Sequence, residues 1–372
     1  MASRPTTRFV SLQSTRARGA AWRQPAVAAA PLAGLLVAGI LLGAAPMAGG
    51  GELALSSVAA DAVWVAHVDF DALYESTVVG HLYDRVKDRT GVQARLGMLK
   101  QMLGFDLLKD LDGVTFYGKQ IGKPSGVMIV QAKLDQKKLF SWAAKMPGHE
   151  QSKHGVHDLH LWIIKAPTDS KPGHAIAAAS FDEDQFVVAD SLDSLRAALD
   201  VLHGKQPSAS ERGPVGGHIP PGTIALIRAT GVSGAEIPCK DPIAKQTESF
   251  RFVLGEHDGK SFYRSRSTMT SPEAAEQLAK IVEGARALGT LVAHDDPAAK
   301  KLLDALRIKP EAKTMTVLWS APAEDVWSVL QAHEEDLKRL LAHHHRHDEA
   351  HAKRREPSQA PARPKPSPEE DF

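Results

Sequence analysis

Apolar and polar positions in the middle of the chain predict short strands joined to amphipathic helices. An apolar run over 63–68 predicts a strand, and the residues after Asp69 repeat their apolar positions at helical spacing. Two runs, 114–117 and 127–130, flank a loop that contains Gly and Pro, which predicts a hairpin. The runs at 159–164 and 176–179 predict a second pair of strands.

Three helix starts are marked by a capping residue followed by an acid. A strand over 186–189 leads into the first of them, at Ser191, and the others lie at Ser271 and Ser320. A Ser side chain satisfies free amides of the first helical turn, and Pro272 fits the first helical position. Asp193, and the glutamates that follow the other two serines, match the helix dipole.

The order of these elements suggests an internal duplication. Residues 58–66 correspond to residues 219–227, because a turn introduces a strand in both. The hairpin and helix predicted over 114–144 are echoed over 250–282, although the second copy has no clear counterpart of 159–189. Any protein built of strands, hairpins and helices shows some such echoes, so chance similarity is the alternative.

Hairpins outnumber crossover connections, which predicts an α+β fold rather than a doubly wound one. We expect two tandem, partly duplicated units of antiparallel or mixed sheet with helices packed on one face. The predicted segments are a leader (1–51), a first unit (52–206), a Gly-, Ser- and Pro-rich linker (207–217), a second unit ending in a long helix (218–342) and a tail (343–372). The tail is rich in His and then in Pro and charge, which predicts disorder.

The first 51 residues contain five arginines, no lysine and no acid, and an apolar run covers 26–48. A cationic leader before an apolar run is typical of export, as a cleaved signal peptide or as an uncleaved anchor. Cleavage near Gly50 or after Ala59 fits the small-residue rule better than cleavage after Ala45. An organelle transit peptide is a weaker alternative. We therefore expect a periplasmic or secreted protein, or one anchored in the inner membrane by its N-terminal helix.

Charge and cysteine content narrow the classes of partner. Without the five leader arginines, the 45 basic residues fall to 40, against 44 acidic residues. A mildly acidic body disfavours nucleic-acid binding. Cys239 is the single cysteine, so no intrachain disulfide forms. The expected partner is an unknown envelope or extracellular molecule, with membrane contact only through 26–48 if the leader is uncleaved.

Two segments resemble a family of uncharacterised exported bacterial proteins. These segments are 60–69, which reads ADAVWVAHVD, and 186–204, which contains the helix motif AALDVLHG. The resemblance implies an exported α+β protein and carries no known activity.

Histidine is the one residue type whose distribution suggests a ligand. His154 and His157 fall in a cluster with His149 and His160, and a loop could bring the first two together with Asp158 as an outer partner. If the segment is instead a strand, residues three apart diverge.

A second histidine cluster lies in the tail, where a continued helix would place His343, His347 and His351 on one face. Such spacing can hold a divalent ion adventitiously, and we expect no other cofactor.

No catalytic template is satisfied. The loop at 118–125 lacks the spacing and the helix of a phosphate loop, and 231–235 ends in Ala where a nucleophile elbow needs Gly. We therefore expect a non-enzymatic exported protein that acts by binding or by organising the envelope. The alternatives are a metal-handling protein that uses the tail histidines, and a carrier of an apolar ligand held between sheet and helices.

Overall fold

The computed structural model describes residues 51–333 apart from 88–92, 95–96, 99, 102–105, 107–108, 123–125, 165–173, 211–212 and 236–241. The predicted leader, Cys239 and the tail histidines His343, His347 and His351 lie outside the described residues. Within the described ranges, no helix combines the length and apolar character that crossing a membrane requires.

In the described part of the chain, twelve antiparallel strands form one sheet. In chain order they are β1 (Trp64–Asp69), β2 (Leu111–Gly118), β3 (Val127–Ala132), β4 (His149–His154), β5 (His157–Ile164), β6 (His174–Ser180), β7 (Gln185–Ala189), β8 (Thr223–Thr230), β9 (Thr247–His257), β10 (Lys260–Met269), β11 (Arg307–Glu311) and β12 (Thr314–Pro322). Across the sheet the order is β11-β12-β10-β9-β8-β1-β2-β3-β7-β6-β5-β4.

Eight α-helices are fully within the described residues. They are α1 (Phe70–Glu75), α2 (Thr77–Val86), α3 (Gln136–Ala143), α4 (Leu192–Leu202), α5 (Pro242–Lys245), α6 (Pro272–Val292), α7 (Pro297–Asp304) and α8 (Ala323–Ala332). Helices and a large antiparallel sheet together confirm the predicted α+β class.

The two predicted units meet within the sheet, where β1 pairs antiparallel with β8 and His67 lies opposite Leu226. On either side of this pair the strand order is alike. A hairpin extends each half (β2–β3 and β9–β10), a helix follows (α3 and α6), and a returning hairpin pairs with the third strand (β6–β7 and β11–β12). This order agrees with a duplication, which stays a hypothesis. The hairpin β11–β12, which the sequence pattern did not predict, takes the position of β6–β7.

The predicted linker between the units packs against the core. Ala209 and Val215 are buried in the main apolar cluster, and Ala209 N donates to Val58 O at 2.7 Å. The linker therefore packs against the core instead of hanging free, and we call residues 207–217 together with His218 and Ile219 the strap.

Helices cover both faces of the first half, which corrects the prediction that they lie on one face. Ile129 of β3 packs with Leu195 and Leu199 of α4, whereas its neighbour Val130 packs with Phe70 of α1. Adjacent strand residues point to opposite faces, so α1 and α4 lie on opposite sides of the sheet. The cause is visible in β3, whose run of apolar residues needs cover on both faces.

Two of the three predicted helix starts are confirmed. Ser191 accepts a hydrogen bond from Ser194 N at 3.1 Å, and Ser271 accepts one from Ala274 N at 3.2 Å. The prediction at Ser320 is wrong, because Ser320 lies within β12 opposite Phe262. The helix begins at Ala323, and Pro322 at its N-cap supplies no side-chain hydrogen bond.

Candidate functional site

The predicted histidine pair lies at the tip of the β4–β5 hairpin. His154 and His157 are opposite each other across the turn. His154 Nε2 is 2.9 Å from Asp200 Oδ1, and His157 Nε2 is 2.7 Å from His203 Nε2. Asp200 is on α4 and His203 is its C-cap residue, so both contacts fasten the hairpin to the end of this helix.

His160, three residues after His157, faces the other side of the sheet, as strand geometry predicts. Its Nδ1 is 3.0 Å from Nε2 of His149, and its ring stacks on Phe140 with centroids 4.4 Å apart. His157 instead uses its Nδ1–H to donate to Ser180 O, 2.8 Å away. The contacts between imidazole nitrogens therefore form two separate pairs, His149–His160 and His157–His203, while His154 contacts Asp200.

Neither pair has the geometry of a metal centre. Two imidazole nitrogens on one tetrahedral zinc are about 3.3 Å apart, since each bond is about 2.0 Å, whereas 2.7 Å between His157 and His203 is a hydrogen-bond distance. Among the described residues, no three His, Cys, Asp or Glu side chains are arranged to hold an ion. Asp158, the predicted outer partner, lies 3.7 Å from Lys153 Nζ.

The buried His160 predicts a pH dependence of stability. Burial lowers the pKa of His160, His149 lowers it further, and Asp158 partly opposes both. Since the folded chain binds a proton there less readily than the unfolded chain, this contribution is present above the ordinary histidine pKa and is lost as pH falls through the lowered pKa. We expect urea denaturation to show the stability gap between wild type and His160→Gln shrinking from pH 7.5 to pH 5. A gap that widens on acidification would contradict this assignment.

A second feature, which the sequence pattern did not reveal, is a row of cationic side chains across the second half of the sheet. Strand pairing sets Arg228 opposite Arg251, and Arg251 opposite Arg266. Arg266 lies opposite Thr316, which in turn lies opposite Lys309 on the edge strand, so the line of opposed residues ends at a fourth basic side chain. Directly opposed residues share a face of the sheet, so one face carries four basic side chains in line.

A parallel row two residues away adds Arg264 and Arg307, which both lie opposite Leu318. We call the five exposed side chains of the two rows the basic face; they are Arg251, Arg264, Arg266, Arg307 and Lys309. None of the five makes an ion pair with another described residue. Glu311, at the outer edge, is the one acidic residue that β8–β12 place on this side.

Arg228, at the inner end of the row, has a structural role. It is 2% exposed, and its guanidinium donates to the carbonyl oxygens of Val215, Gly217 and His218 at 3.0–3.1 Å. Burial, together with the charge of Arg251, lowers its pKa to about 10. A guanidinium stays charged at that pKa, so it holds the strap in place while adding positive charge behind the basic face.

The reverse side of these strands is covered. Met315 and Val317 of β12 pack against Ala279 of α6, and Trp319 Nε1 donates to Leu302 O of α7 at 2.8 Å. Odd-numbered residues of β12 thus meet helices, while even-numbered ones belong to the basic face. The second half of the sheet therefore has helices on one side and exposed cations on the other.

Comparison with known proteins adds little. No protein-family model matches the chain, and no curated protein matches it. The matching solved structures include three crystal forms of TP0453. Form III has a TM-score of 0.36 and 7% identity, covering 76% of this chain and 99% of that one. Form IV has a TM-score of 0.37 and 9% identity, covering 74% and 95%. Form I has a TM-score of 0.33 and 8% identity, covering 76% and 98%. A likeness this weak supports no inference about function.

The signal for the basic face is present in the sequence but incomplete. Arg264-Ser265-Arg266 and Arg307-Ile308-Lys309 have the spacing that puts two cations on one face of a strand. Bringing them beside Arg251 requires knowing which strands are neighbours. That information lies in long-range pairing.

An open depression of about 430 Å³ lies beside the strap, lined by Leu53, Leu55, Ser210, Gly217, His218 and Ile219. It includes no strand residue, so it is not the space between sheet and helices where a carried apolar ligand was expected. The carrier hypothesis gains no support from it.

Proposed function

We propose that this protein is a non-catalytic, exported binding protein that attaches through the basic face to an anionic membrane surface. The observation that carries the proposal is the cationic row Arg228–Arg251–Arg266. Like charges opposite one another on neighbouring strands destabilise a sheet. A partner that supplies negative charge along the row offsets that cost.

The chemistry of the row favours phosphate. Guanidinium groups bind phosphate with two parallel hydrogen bonds and lose their water more readily than ammonium groups. Neighbouring strands are about 4.8 Å apart, so the row presents cations at closely repeated intervals over a wide surface. A bilayer rich in anionic headgroups offers phosphate at comparable density. The predicted export leader supports the same partner, since an exported body would lie beside the envelope membranes.

This proposal extends the expected membrane contact beyond 26–48. It leaves the histidine pairs as structural contacts and gives the protein no catalytic role. The mildly acidic charge of the chain without its leader arginines is compatible with it, because charge on one face decides surface attachment while the remaining faces carry the acids.

Vesicle binding tests the proposal. We expect the mature protein to co-sediment with vesicles of phosphatidylglycerol and phosphatidylcholine but not with phosphatidylcholine alone. Binding should weaken between 50 and 300 mM salt, because the cations are exposed and are screened. Equal binding to both vesicles, or binding that salt leaves unchanged, would overturn the proposal. Binding to single-stranded DNA but to neither vesicle would do so as well.

A further inference from the structure

Gly51 occupies a pocket that only glycine fits. It is buried, and its backbone N donates to Asp71 Oδ2 at 3.2 Å. A methyl group on its Cα would come within 2.4 Å of Asp112 O and 2.5 Å of Asp69 Oδ1. Gly113 leaves room for Gly51 from the other side, because a methyl group on Gly113 would lie 2.7 Å from Gly51 O. The backbone of residue 51 is therefore held tightly between β1, α1 and β2.

Two carboxylates, those of Asp69 and Asp71, lie at this backbone, and the charge of a third, Asp112, acts on Asp71. Asp69 is 5% exposed and Asp112 is 7% exposed, while Asp71 is partly buried. Burial, with the charges of Glu52 and Glu75, raises the pKa of Asp69 to about 6, although the hydrogen bond from Ala72 N opposes the rise.

The pKa of Asp71 is also raised. Burial and the charges of Asp112 and Asp69 together raise its pKa to about 6. Lys133, 3.6 Å from Asp112 Oδ1, opposes these acids. The group is short of positive charge, because one lysine faces three carboxylates.

A buried histidine beside the pocket does not supply that charge. His67 is 2% exposed, and its Nδ1 is 2.9 Å from Thr115 Oγ1. Burial lowers its pKa to about 4, so the ring is neutral at pH 7. The nearby backbone of Gly51 opposes this lowering of the pKa. It does not form a complete hydrogen bond with the ring, so His67 Nε2 has no hydrogen-bond partner among the described residues.

We propose that the leader is cleaved between Gly50 and Gly51 and that Asp71, with Asp69 and Asp112, holds the freed α-ammonium of Gly51. A signal peptidase adds water across the peptide bond, which leaves a carboxylate on Gly50 and an amine on Gly51 that takes up a proton. Ala48-Gly49-Gly50 satisfies the small-residue rule for such cleavage.

Cleavage at this bond changes the electrostatics of the pocket. The intact chain offers one N–H at residue 51 and no charge. An ammonium there offers three N–H donors and a positive charge, at the position where one donor already contacts Asp71. Buried carboxylates are stabilised when they are paired and hydrogen-bonded. Cleavage of the leader would thus stabilise the folded mature protein by pairing these buried carboxylates.

Export of the full chain in a bacterial host tests the cleavage position directly. Intact mass and N-terminal sequencing of the exported protein should give Gly51 as the first residue. Any other first residue, or an exported protein that retains its leader, would overturn the proposal. This readout is independent of vesicle binding, so it fails separately from the proposed function.

Reactivity of the terminal amine tests the ion pair. In the mature protein, acetylation of Gly51 at pH 8 should be about fivefold slower than in Asp71→Asn, since a rise of one unit from an ordinary α-amino pKa near 8 lowers the free-amine fraction at pH 8 about fivefold. Asp193→Asn is the matched control, because the Asp193 side chain is 93% exposed and remote in sequence. Equal rates in all three proteins would show that the carboxylates do not hold the amine.

Discussion

Replacing Arg251, Arg264 and Arg266 together by Gln is expected to weaken binding to anionic vesicles about 100-fold. Each basic side chain near an anionic surface contributes about 1 kcal/mol, so three contribute about 3 kcal/mol. Co-sedimentation at 100 mM salt measures the change. Arg228 is left intact, because it holds the strap through three carbonyl oxygens.

The same variant should not lose stability. Arg251 and Arg266 are directly opposed, and removing like charges from opposed positions relieves repulsion. A matched control changes three exposed lysines away from the basic face, Lys137, Lys138 and Lys280, to Gln. That control alters the net charge equally and should bind as wild type does. Equal loss in both triple variants would mean that net charge, rather than the basic face, governs attachment.

The largest stability effect is expected at Leu199. Leu199 is 0% exposed on α4 and packs in the main cluster with Ile129 and Leu159. Leu199→Ala removes buried methyl groups and leaves a cavity, which should cost about 3 kcal/mol of unfolding free energy. Urea denaturation followed by circular dichroism measures it.

Leu291→Ala is the control for this substitution. Leu291 is 70% exposed on α6, so its truncation should change the unfolding free energy by less than about 0.5 kcal/mol. Similar losses at both positions would contradict the packing of α4 on the sheet. A clear difference would confirm that α4 packs on the sheet through Leu199.

Hairpins and helix caps of this fold can be predicted from the sequence, whereas pairing between distant strands cannot. The β2–β3 and β5–β6 pairs and the caps at Ser191 and Ser271 follow from patterns within a few residues. The strand β4 was missed because His149–His154 has no apolar alternation. Its place comes from pairing with β5, whose apolar side chains bind it to the core.

The candidate sites divide in the same way. The histidines stood out by number, yet the structure uses His154 and His157 to fasten a hairpin to α4. The arginines of the basic face are spread over three strands, β9, β10 and β11, and they line up with Arg228 only when β8, β9 and β10 pair in register. The Gly51 pocket likewise joins residues 51, 69, 71 and 112, which no local pattern connects.

An apolar stripe on α6 offers the competing mode of membrane attachment. Ile281, Leu288, Leu291 and Val292 are all more than half exposed on this helix. α6 lies on the side of the sheet opposite the basic face. The two surfaces cannot contact one flat bilayer together, so the orientation of the bound protein separates them.

The most direct test of membrane attachment through the basic face is therefore to measure the orientation of the bound protein. A fluorescent label is placed at Lys309→Cys on the basic face or at Leu288→Cys on α6, each in a Cys239→Ser background, and quenching by a headgroup-labelled lipid is recorded on anionic vesicles. Our account predicts strong quenching at position 309 and little at 288. Strong quenching at 288 with a solvent-exposed label at 309 would contradict it.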